Sequence, residues 1–300
     1  MKRGDIAFNA EGVTLRGWFY SAEPSGTRHP TIVMAHGFSA LKEHYLDRYG
    51  EVFAEAGLNA LIFDNRNFGA SDGEPRFEID PWQQVRDYRH AITYATTRGE
   101  VDPTRIGVWG SSYSGGHVLV VSALDRRVKA VVAQVPLVDG YESFRRLVRP
   151  DFIDGFRRQF DEDRLNRFKG GEPAMVPVVD KDPLAPSSLP TPDSYQWFTE
   201  AQKIAPSWRN EVTLRTVEMF TEYAPIDFVE RIGPTPLLVL CANQDVLCLE
   251  DRIAAAYERA RPPKRFEILP GGHFDAYVKG FGRSSSLARD WFVERLMPRP

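Results

Sequence analysis

The sequence predicts an α/β fold with a mostly parallel central sheet and helices on both of its faces. Short strands that are apolar throughout, such as 58–63 and 128–135, alternate with segments of helical periodicity. This rhythm stops between about residues 137 and 232, where prolines and aromatic residues accumulate. We therefore predict a sheet domain formed by residues 1–136 and 233–300, with an inserted, largely helical cap at 137–232.

The elements before residue 136 follow from periodicity and from turn residues. Apolar side chains alternate over residues 5–21 around the turn-forming Asn9-Ala10-Glu11-Gly12, which is typical of two paired strands. Gly57 ends one helical pattern, and Pro81 stands at the start of another. The predicted elements are the strand pair at 5–21, strands at 31–35, 58–63, 105–109 and 128–135, and helices at 45–56, 81–97 and 114–124.

The cap is less regular than the sheet domain. Residues 140–168 are aromatic and rich in arginine, with a helical pattern. Residues 170–193 contain six prolines and predict a loop, while 194–222 predict helix interrupted at Pro206. After Pro234 the sheet rhythm returns. The predicted elements there are strands at 236–241 and 264–269 and helices at 250–260 and 284–296.

Composition restricts the class of partner. The 300 residues carry 38 basic and 41 acidic side chains, a net charge of −3, which gives no general attraction to nucleic acid or anionic membranes. Cys241 and Cys248 are too few for a disulfide framework and form no CxxC motif. No apolar run has the ~20 residues of a membrane span, and the N-terminus lacks the pattern of a signal peptide. We expect a cytoplasmic protein acting on a small molecule, with its oligomeric state undetermined.

The sharpest local motif runs from Gly107 to Gly116, between a predicted strand and a predicted helix. A serine on such an elbow projects its hydroxyl from the sheet edge, and the tight turn requires small residues two positions before and after it. Ser112 has Gly110 and Ser114 at these positions, although the usual motif has a second glycine where Ser114 stands. We therefore predict that Ser112 is a nucleophile.

Two neighbouring serines fit the motif less well. Ser111 would have the bulky Trp109 and Tyr113 at the flanking positions. Ser114 is sterically possible, but it lies deeper in the predicted helix. The non-catalytic alternative is a helix start, rich in glycine and serine, that binds an anion through its backbone amides.

A serine hydroxyl needs a base to accept its proton, and the base needs an acid to orient it. On elbows of this kind the chain order is serine, acid, histidine, with the last two on loops after later strands. Asp245 follows one such strand, and His273 follows the next, behind two glycines. Taken alone, Asp245 fits an ordinary turn residue as well as a catalytic acid, and His273 fits an ordinary loop residue as well as a base. Their joint placement predicts a triad of Ser112, Asp245 and His273, with Asp139 as the alternative acid.

The loop His36-Gly37-Phe38, after the strand at 31–35, is predicted to complete the site. We predict that the backbone N–H groups of Phe38 and Tyr113 form an oxyanion hole, and that His36 orients the loop.

Further polar and aromatic residues receive structural or lining roles. Asp64 and Asp72 are predicted to stabilise loops, and residues 69–73 predict a turn after the strand at 58–63. The cap aromatics are candidates to line an acyl or ring pocket, although the helical spacing of the first three favours packing. They are Phe152, Phe156, Phe160, Tyr195, Trp197, Phe198 and Trp208.

The sheet-forming parts, with these motifs in this order, resemble the α/β-hydrolase fold of serine hydrolases. Ser112-Tyr113 resembles members of the dienelactone hydrolase-like and X-Pro dipeptidyl-peptidase (S15)-like groups. Residues 271–277 are similar to a group that includes fungal polyketide transferases. The resemblance implies two-step acyl transfer on a small substrate, without a metal or another cofactor.

Four functional hypotheses follow. The leading one is a hydrolase that cleaves a small carboxylic ester or thioester through an acyl-enzyme. The second is an acyltransferase that passes the acyl group to an alcohol. The third is cleavage of an amide or a carbon–carbon bond. The fourth is a non-catalytic, ligand-binding member of the fold.

Overall fold

The computed structural model describes residues 2–297 and contains ten strands and nine α-helices among them. In chain order the strands are β1 (Lys2–Ala10), β2 (Val13–Ser21), β3 (His29–Ala35), β4 (Asn59–Phe63), β5 (Val101–Ser111), β6 (Val128–Gln134), β7 (Met175–Val176), β8 (Val212–Thr213), β9 (Leu237–Ala242) and β10 (Lys264–Leu269). The helices are α1 (Leu46–Glu55), α2 (Pro81–Thr96), α3 (Tyr113–Leu124), α4 (Gly140–Leu147), α5 (Pro150–Phe168), α6 (Pro192–Ala201), α7 (Leu214–Thr221), α8 (Glu250–Arg259) and α9 (Phe281–Leu296).

The central sheet has eight strands in the order β1-β2-β4-β3-β5-β6-β9-β10. β2 pairs antiparallel with both β1 and β4, and every other neighbouring pair in this sheet is parallel. The carboxyl ends of the parallel strands therefore meet at one edge, where ligands bind in open α/β sheets. The segments after β3, β5, β9 and β10 converge at this edge.

The predicted mostly parallel sheet with surrounding helices is confirmed. The strand predicted at 264–269 matches β10, whereas β5 begins at Val101, four residues before the predicted start. Asp102, Pro103 and Thr104 interrupt the apolar run and conceal the start of this strand. None of the helices among residues 2–297 is long and apolar enough to cross a membrane.

The region between β6 and β9 differs in detail from its prediction. The helical pattern at 140–168 is two helices, α4 and α5, separated next to Pro150, which is the first residue of α5. β7 and β8 form a two-residue antiparallel pair that no periodicity could reveal. Residues 202–211 are not helical, so the prediction for 194–222 holds only for α6 and α7. The division into a sheet domain and a cap at 137–232 stays a prediction, and we use "cap" for that segment.

His44 and His117 are buried, and neither ring bonds to a charged side chain among residues 2–297. In α3 the His117 ring bonds to the Tyr223 hydroxyl and to Gln84 Oε1, each at 2.9 Å. His44 Nδ1 accepts the Leu41 N–H at 2.9 Å. Burial lowers the pKa of each of the two rings to about 3. Both rings are therefore neutral in the folded protein at neutral pH.

These neutral rings predict a loss of stability in acid. A histidine in the unfolded chain has a pKa of about 6.5. Below that pH the unfolded chain therefore binds protons at these two positions, whereas the buried rings of the folded protein stay unprotonated. The contribution of each neutral ring to the free energy of unfolding is complete above about pH 6.5. It falls by about 1.4 kcal/mol per pH unit as the pH drops toward 3. Denaturant unfolding from pH 7 to pH 4 measures this slope.

The matched variants are His117→Gln and His90→Gln. The first should flatten the pH dependence of the unfolding free energy, because it removes one of the buried neutral rings. His90 lies on the outer part of α2, 3.6 Å from Glu11, and serves as the surface control. An unchanged slope in His117→Gln would contradict the assignment of a buried neutral ring.

Candidate active site

Ser112 lies at a sharp elbow between β5 and α3, with φ 61° and ψ −124°. The turn is so tight that a Cβ at Gly110 would lie 2.2 Å from the Ser114 carbonyl oxygen. Backbone hydrogen bonds hold the elbow against β6, because Ser112 N donates to the Gln134 carbonyl at 2.9 Å. The Leu137 N–H in turn donates to the Ser112 carbonyl at 2.9 Å. The serine is thus fixed in a strained conformation at the carboxyl edge of the sheet.

The structure brings the three residues of the predicted triad together. His273 Nε2 lies 2.9 Å from Ser112 Oγ, and His273 Nδ1 lies 2.7 Å from Asp245 Oδ2. The other aspartate oxygen, Oδ1, accepts the N–H groups of Leu247 and Cys248, each at 2.8 Å. His273 and Asp245 are buried, whereas Ser112 is partly exposed. This geometry suits an imidazole that donates from Nδ1 to the carboxylate and accepts the serine proton at Nε2.

The loops that carry Asp245 and His273 are bonded to each other. Gln244 N donates to the Gly271 carbonyl at 2.9 Å, and Gly271 N donates to Asn243 Oδ1 at 3.0 Å. Gly271 has φ 108°, and a Cβ there would lie 2.4 Å from Asp275 Oδ2. The glycine before the histidine loop is therefore required both by its backbone angle and by the space available.

The alternative candidates are bonded elsewhere. Ser114 Oγ lies 2.5 Å from the Tyr88 hydroxyl, and Ser111 Oγ accepts the Tyr277 hydroxyl at 2.5 Å. Asp139 caps α4 through the Glu142 N–H and bonds to Arg252 at 2.6 Å. Neither serine is bonded to His273, and the bonds of Asp139 to Glu142 and Arg252 are structural.

The loop after β3 passes directly against the elbow. A Cβ at Gly37 would lie 2.8 Å from both the Ser111 carbonyl oxygen and Ser112 Cβ. Phe38, the next residue, lines the same cleft as Tyr113. Tyr113 is the first residue of α3, where a backbone N–H has no partner within the helix. This placement supports the predicted oxyanion hole, which remains a prediction.

His36 holds this loop in place. Its Nδ1 accepts the Gly37 N–H at 2.8 Å, and its Nε2 donates to the His44 carbonyl at 2.9 Å. Asn65 Nδ2 donates to the His36 carbonyl at 3.0 Å. Burial, with a smaller effect from His44, lowers the pKa of His36 well below its usual value, so the ring is neutral. These bonds match the orienting role predicted from the sequence.

Asp64 and Asp72 bind loops, as predicted. Asp64 accepts the Lys42 backbone N–H at 2.8 Å, the Lys42 ammonium at 2.7 Å and the Ala70 N–H at 3.0 Å. Asp72 pairs with both terminal nitrogens of Arg16, at 2.5 and 3.1 Å. Asp64 thus connects the loops after β3 and β4, and Asp72 binds the second of these loops to β2.

The close approach at Gly37 predicts a large effect of one methyl group. Gly37→Ala is expected to lower kcat for an ester at least tenfold, because the loop must retreat from Ser112 and from the developing oxyanion. Gly99→Ala is the control, because a Cβ there meets no atom within 4 Å. Steady-state kinetics of the two purified variants provide the comparison. Equal activity would show that this loop does not take part in the reaction.

The cleft over Ser112 is narrow and lined mainly by apolar side chains, with a volume of about 30 Å³. Trp197 stacks on Phe274 with ring centroids 4.9 Å apart, and both line the cleft with Phe198. A volume of this size holds about two water molecules. The free space beside Ser112 is therefore too small for an acyl chain unless the lining side chains move.

The cap aromatics occupy different environments, and Phe156 and Tyr195 are partly buried against the core. Trp197 and Phe198 line the cleft, while Trp208 stacks on Phe198 from behind at 4.9 Å. Phe160 is buried, as the packing interpretation predicts. Phe152 is 42% exposed and lies against Arg149, so the packing interpretation is wrong for this residue.

Several residues that line the cleft were not predicted from the sequence. Leu147, Leu189 and Phe220 come from separate segments of the cap, and no local motif marks them. Cys248 lies beside the triad, and its three-residue spacing from Asp245 was the available signal.

Cys248, Asp245 and His273 place one potential ligand atom each within 4.8 Å of one another. Metal binding requires a thiolate, whereas burial raises the pKa of the Cys248 thiol well above its usual value. Asp245 and His273 are already bonded to each other. The donor set fits a hydrogen-bonded triad better than a metal site.

Comparison with known proteins gives consistent relatives. The model of the X-Pro dipeptidyl-peptidase (S15) family matches residues 12–275. The thiohydrolase aneE of Aspergillus aculeatus is 32% identical over 266 residues, which are 86% of this chain and 81% of the relative. The polyketide transferase grgF of a Penicillium species is 30% identical over 277 residues, 92% of this chain and 90% of the relative. The crystal structure of the alpha/beta hydrolase GrgF from Penicillium superposes with a TM-score of 0.84 at 28% identity, covering 99% of both chains.

Proposed function

Since the chain belongs to the X-Pro dipeptidyl-peptidase (S15) family, we propose that Ser112, His273 and Asp245 cleave a small carboxylic ester or thioester through an acyl-enzyme. The observation that carries this proposal is the continuous pair of hydrogen bonds from Ser112 Oγ to His273 and from His273 to Asp245, at 2.9 and 2.7 Å. Relatives named as a thiohydrolase and a polyketide transferase support acyl chemistry.

The acylation step follows from this geometry. Ser112 Oγ attacks the substrate carbonyl carbon while His273 Nε2 accepts the hydroxyl proton. Asp245 stabilises the imidazolium that forms, and its two backbone donors hold the carboxylate in position. The N–H groups of Phe38 and Tyr113 donate to the oxyanion, and each such donor contributes about 3–4 kcal/mol in a measured case.

Collapse of the tetrahedral intermediate breaks the bond to the leaving group. His273 returns its proton to the departing alcohol or thiol, which leaves the acyl group on Ser112. A water molecule then loses a proton to His273 Nε2 and attacks the acyl carbon. The second collapse releases the acid and restores the Ser112 hydroxyl.

Acyl transfer to an alcohol is a second candidate with its own support. The cleft is narrow and mostly apolar, which leaves little room for water around the acyl-enzyme. A relative named as a polyketide transferase points in the same direction. An alcohol would take the place of water in the second step, with the same proton transfers.

The test uses two substrate series on the purified protein. Acyl chains from acetyl to decanoyl are supplied as p-nitrophenyl esters and as N-acetylcysteamine thioesters, and the optimum chain length measures the pocket. Product analysis with added alcohols separates hydrolysis from transfer, since transfer gives a new ester. No turnover of any member would overturn the proposal in favour of a ligand-binding role.

A further inference from the structure

A second cavity, here called the distal chamber, adjoins the catalytic cleft inside the cap. It lies between α4, α5, α7 and the segment Ser187-Ser188, and has a volume of about 20 Å³. Phe38, Leu147 and Phe220 line both spaces and so form the wall between them. Leu147 is the last residue of α4 and is only half-buried. Among the three, Leu147 is the smallest side chain.

Two hydroxyl groups stand out in the wall of the distal chamber. Its other lining residues are aromatic or aliphatic, whereas Ser187 and Ser188 present polar side chains. Both hydroxyl oxygens are buried, and neither has a hydrogen-bond partner within residues 2–297. Ser187 as a whole is 7% exposed. A buried hydroxyl without a partner is unfavourable, so the pair indicates a site for a group that supplies the missing bonds.

Backbone hydrogen bonds hold the segment that carries these two hydroxyls. Ser188 N donates to the Pro177 carbonyl at 2.9 Å, and Leu189 N donates to the Val178 carbonyl at 2.8 Å. Leu189 lines the catalytic cleft, while Ser187 and Ser188 line the distal chamber. One short, anchored segment thus contacts both spaces.

We propose that the distal chamber is a specificity subsite for acyl chains that carry a carbonyl or hydroxyl oxygen remote from the reacting carbonyl. This inference rests on the proposed function, because the chain must start at Ser112. The apolar part of the chain passes between Phe38 and Phe220 as Leu147 moves aside. The remote oxygen then bonds to the hydroxyls of Ser187 and Ser188, which satisfies both partners.

The experiment compares matched substrates that differ by one oxygen. p-Nitrophenyl octanoate is assayed beside its 5-, 6- and 7-oxo derivatives with the wild type, a Ser187→Ala/Ser188→Ala double variant and Ser207→Ala. Ser207 is an exposed cap serine and provides the control. In the wild type, kcat/KM for one oxo ester should exceed that for octanoate about tenfold. The double variant should lose this preference and keep its rate on octanoate within about twofold.

Thermal unfolding tests the hydroxyls of Ser187 and Ser188 without a substrate. Removal of two buried, unpartnered hydroxyls should leave the Tm of the double variant equal to or above that of the wild type. A lower Tm would show that the hydroxyls have structural partners, and the proposal would fail.

The outcomes also separate this inference from the proposed function. Turnover that depends on Ser112 but shows no preference for any oxo ester overturns the subsite alone. If no ester is turned over, the subsite is tested by binding instead. Calorimetric titration of the Ser112→Ala protein compares its affinities for 5-, 6- and 7-oxo-octanoate with its affinity for octanoate. Tighter binding of one oxo acid, lost in a Ser112→Ala variant that also carries both serine substitutions, supports the subsite. Equal binding of all the acids overturns it.

Discussion

Replacing Ser112 by alanine is expected to lower kcat/KM for an activated ester by about 10⁴-fold or more, because the hydroxyl bonded to His273 is removed. The fold should persist, since the backbone bonds of Ser112 to Gln134 and Leu137 do not involve its side chain. Initial rates with p-nitrophenyl esters give the activity, and the unfolding midpoint gives the stability.

Ser114→Ala is the matched control on the same elbow. Its hydroxyl lies 2.5 Å from the Tyr88 hydroxyl, so we expect a loss of stability of about 1 kcal/mol and an activity close to that of the wild type. If Ser112→Ala kept full activity while Ser114→Ala lost it, the nucleophile would have been assigned to the wrong residue. Equal rates in both variants and the wild type would exclude catalysis by this elbow.

The second large effect is expected for Asp245→Asn. The asparagine oxygen keeps the bonds from the N–H groups of Leu247 and Cys248, so the amide nitrogen faces His273 and donates to Nδ1. The imidazole then carries its proton on Nε2 and cannot accept the proton of Ser112. A change of this kind lowers kcat by about 10⁴-fold in the best-studied triad. Single-turnover kinetics of acyl-enzyme formation test the acylation step directly.

Asp139→Asn supplies the corresponding control. The asparagine can still cap α4, but its pairing with Arg252 loses the negative charge. We expect kcat to remain within a few-fold of the wild type. A large fall in kcat for Asp139→Asn, with little change for Asp245→Asn, would identify Asp139 as the acid instead.

The candidate triad could be predicted because local rules constrain it. Only glycine fits at position 110, where a Cβ would meet the Ser114 carbonyl oxygen at 2.2 Å, so the elbow has a sequence signature. Parallel strands end at one edge, and chain order therefore places the loops of Asp245 and His273 beside Ser112. The same reasoning predicted the loop that carries Gly37.

The pocket could not be predicted in the same way. Leu147, Leu189 and Phe220 meet over the nucleophile although they belong to different segments, and each has an ordinary local pattern. Phe152 has the same helical spacing as Phe156 and Phe160, yet it lies at the surface. Periodicity shows that a helix has an apolar face, but the contacts of that face depend on how the cap packs as a whole.

The bonds within the triad lie outside the cap. The side chains of Ser112, His273 and Asp245 bond to one another and to the backbone at 247–248, all of which belongs to segments beside the sheet. The cap contributes walls to the cleft, through residues such as Leu147 and Trp197. The hydrogen bonds of the triad are thus encoded outside residues 137–232, whereas the walls of the cleft come from both parts of the chain. Substitutions at Leu147 or Trp197 therefore reshape the wall of the cleft without touching a hydrogen bond of the triad.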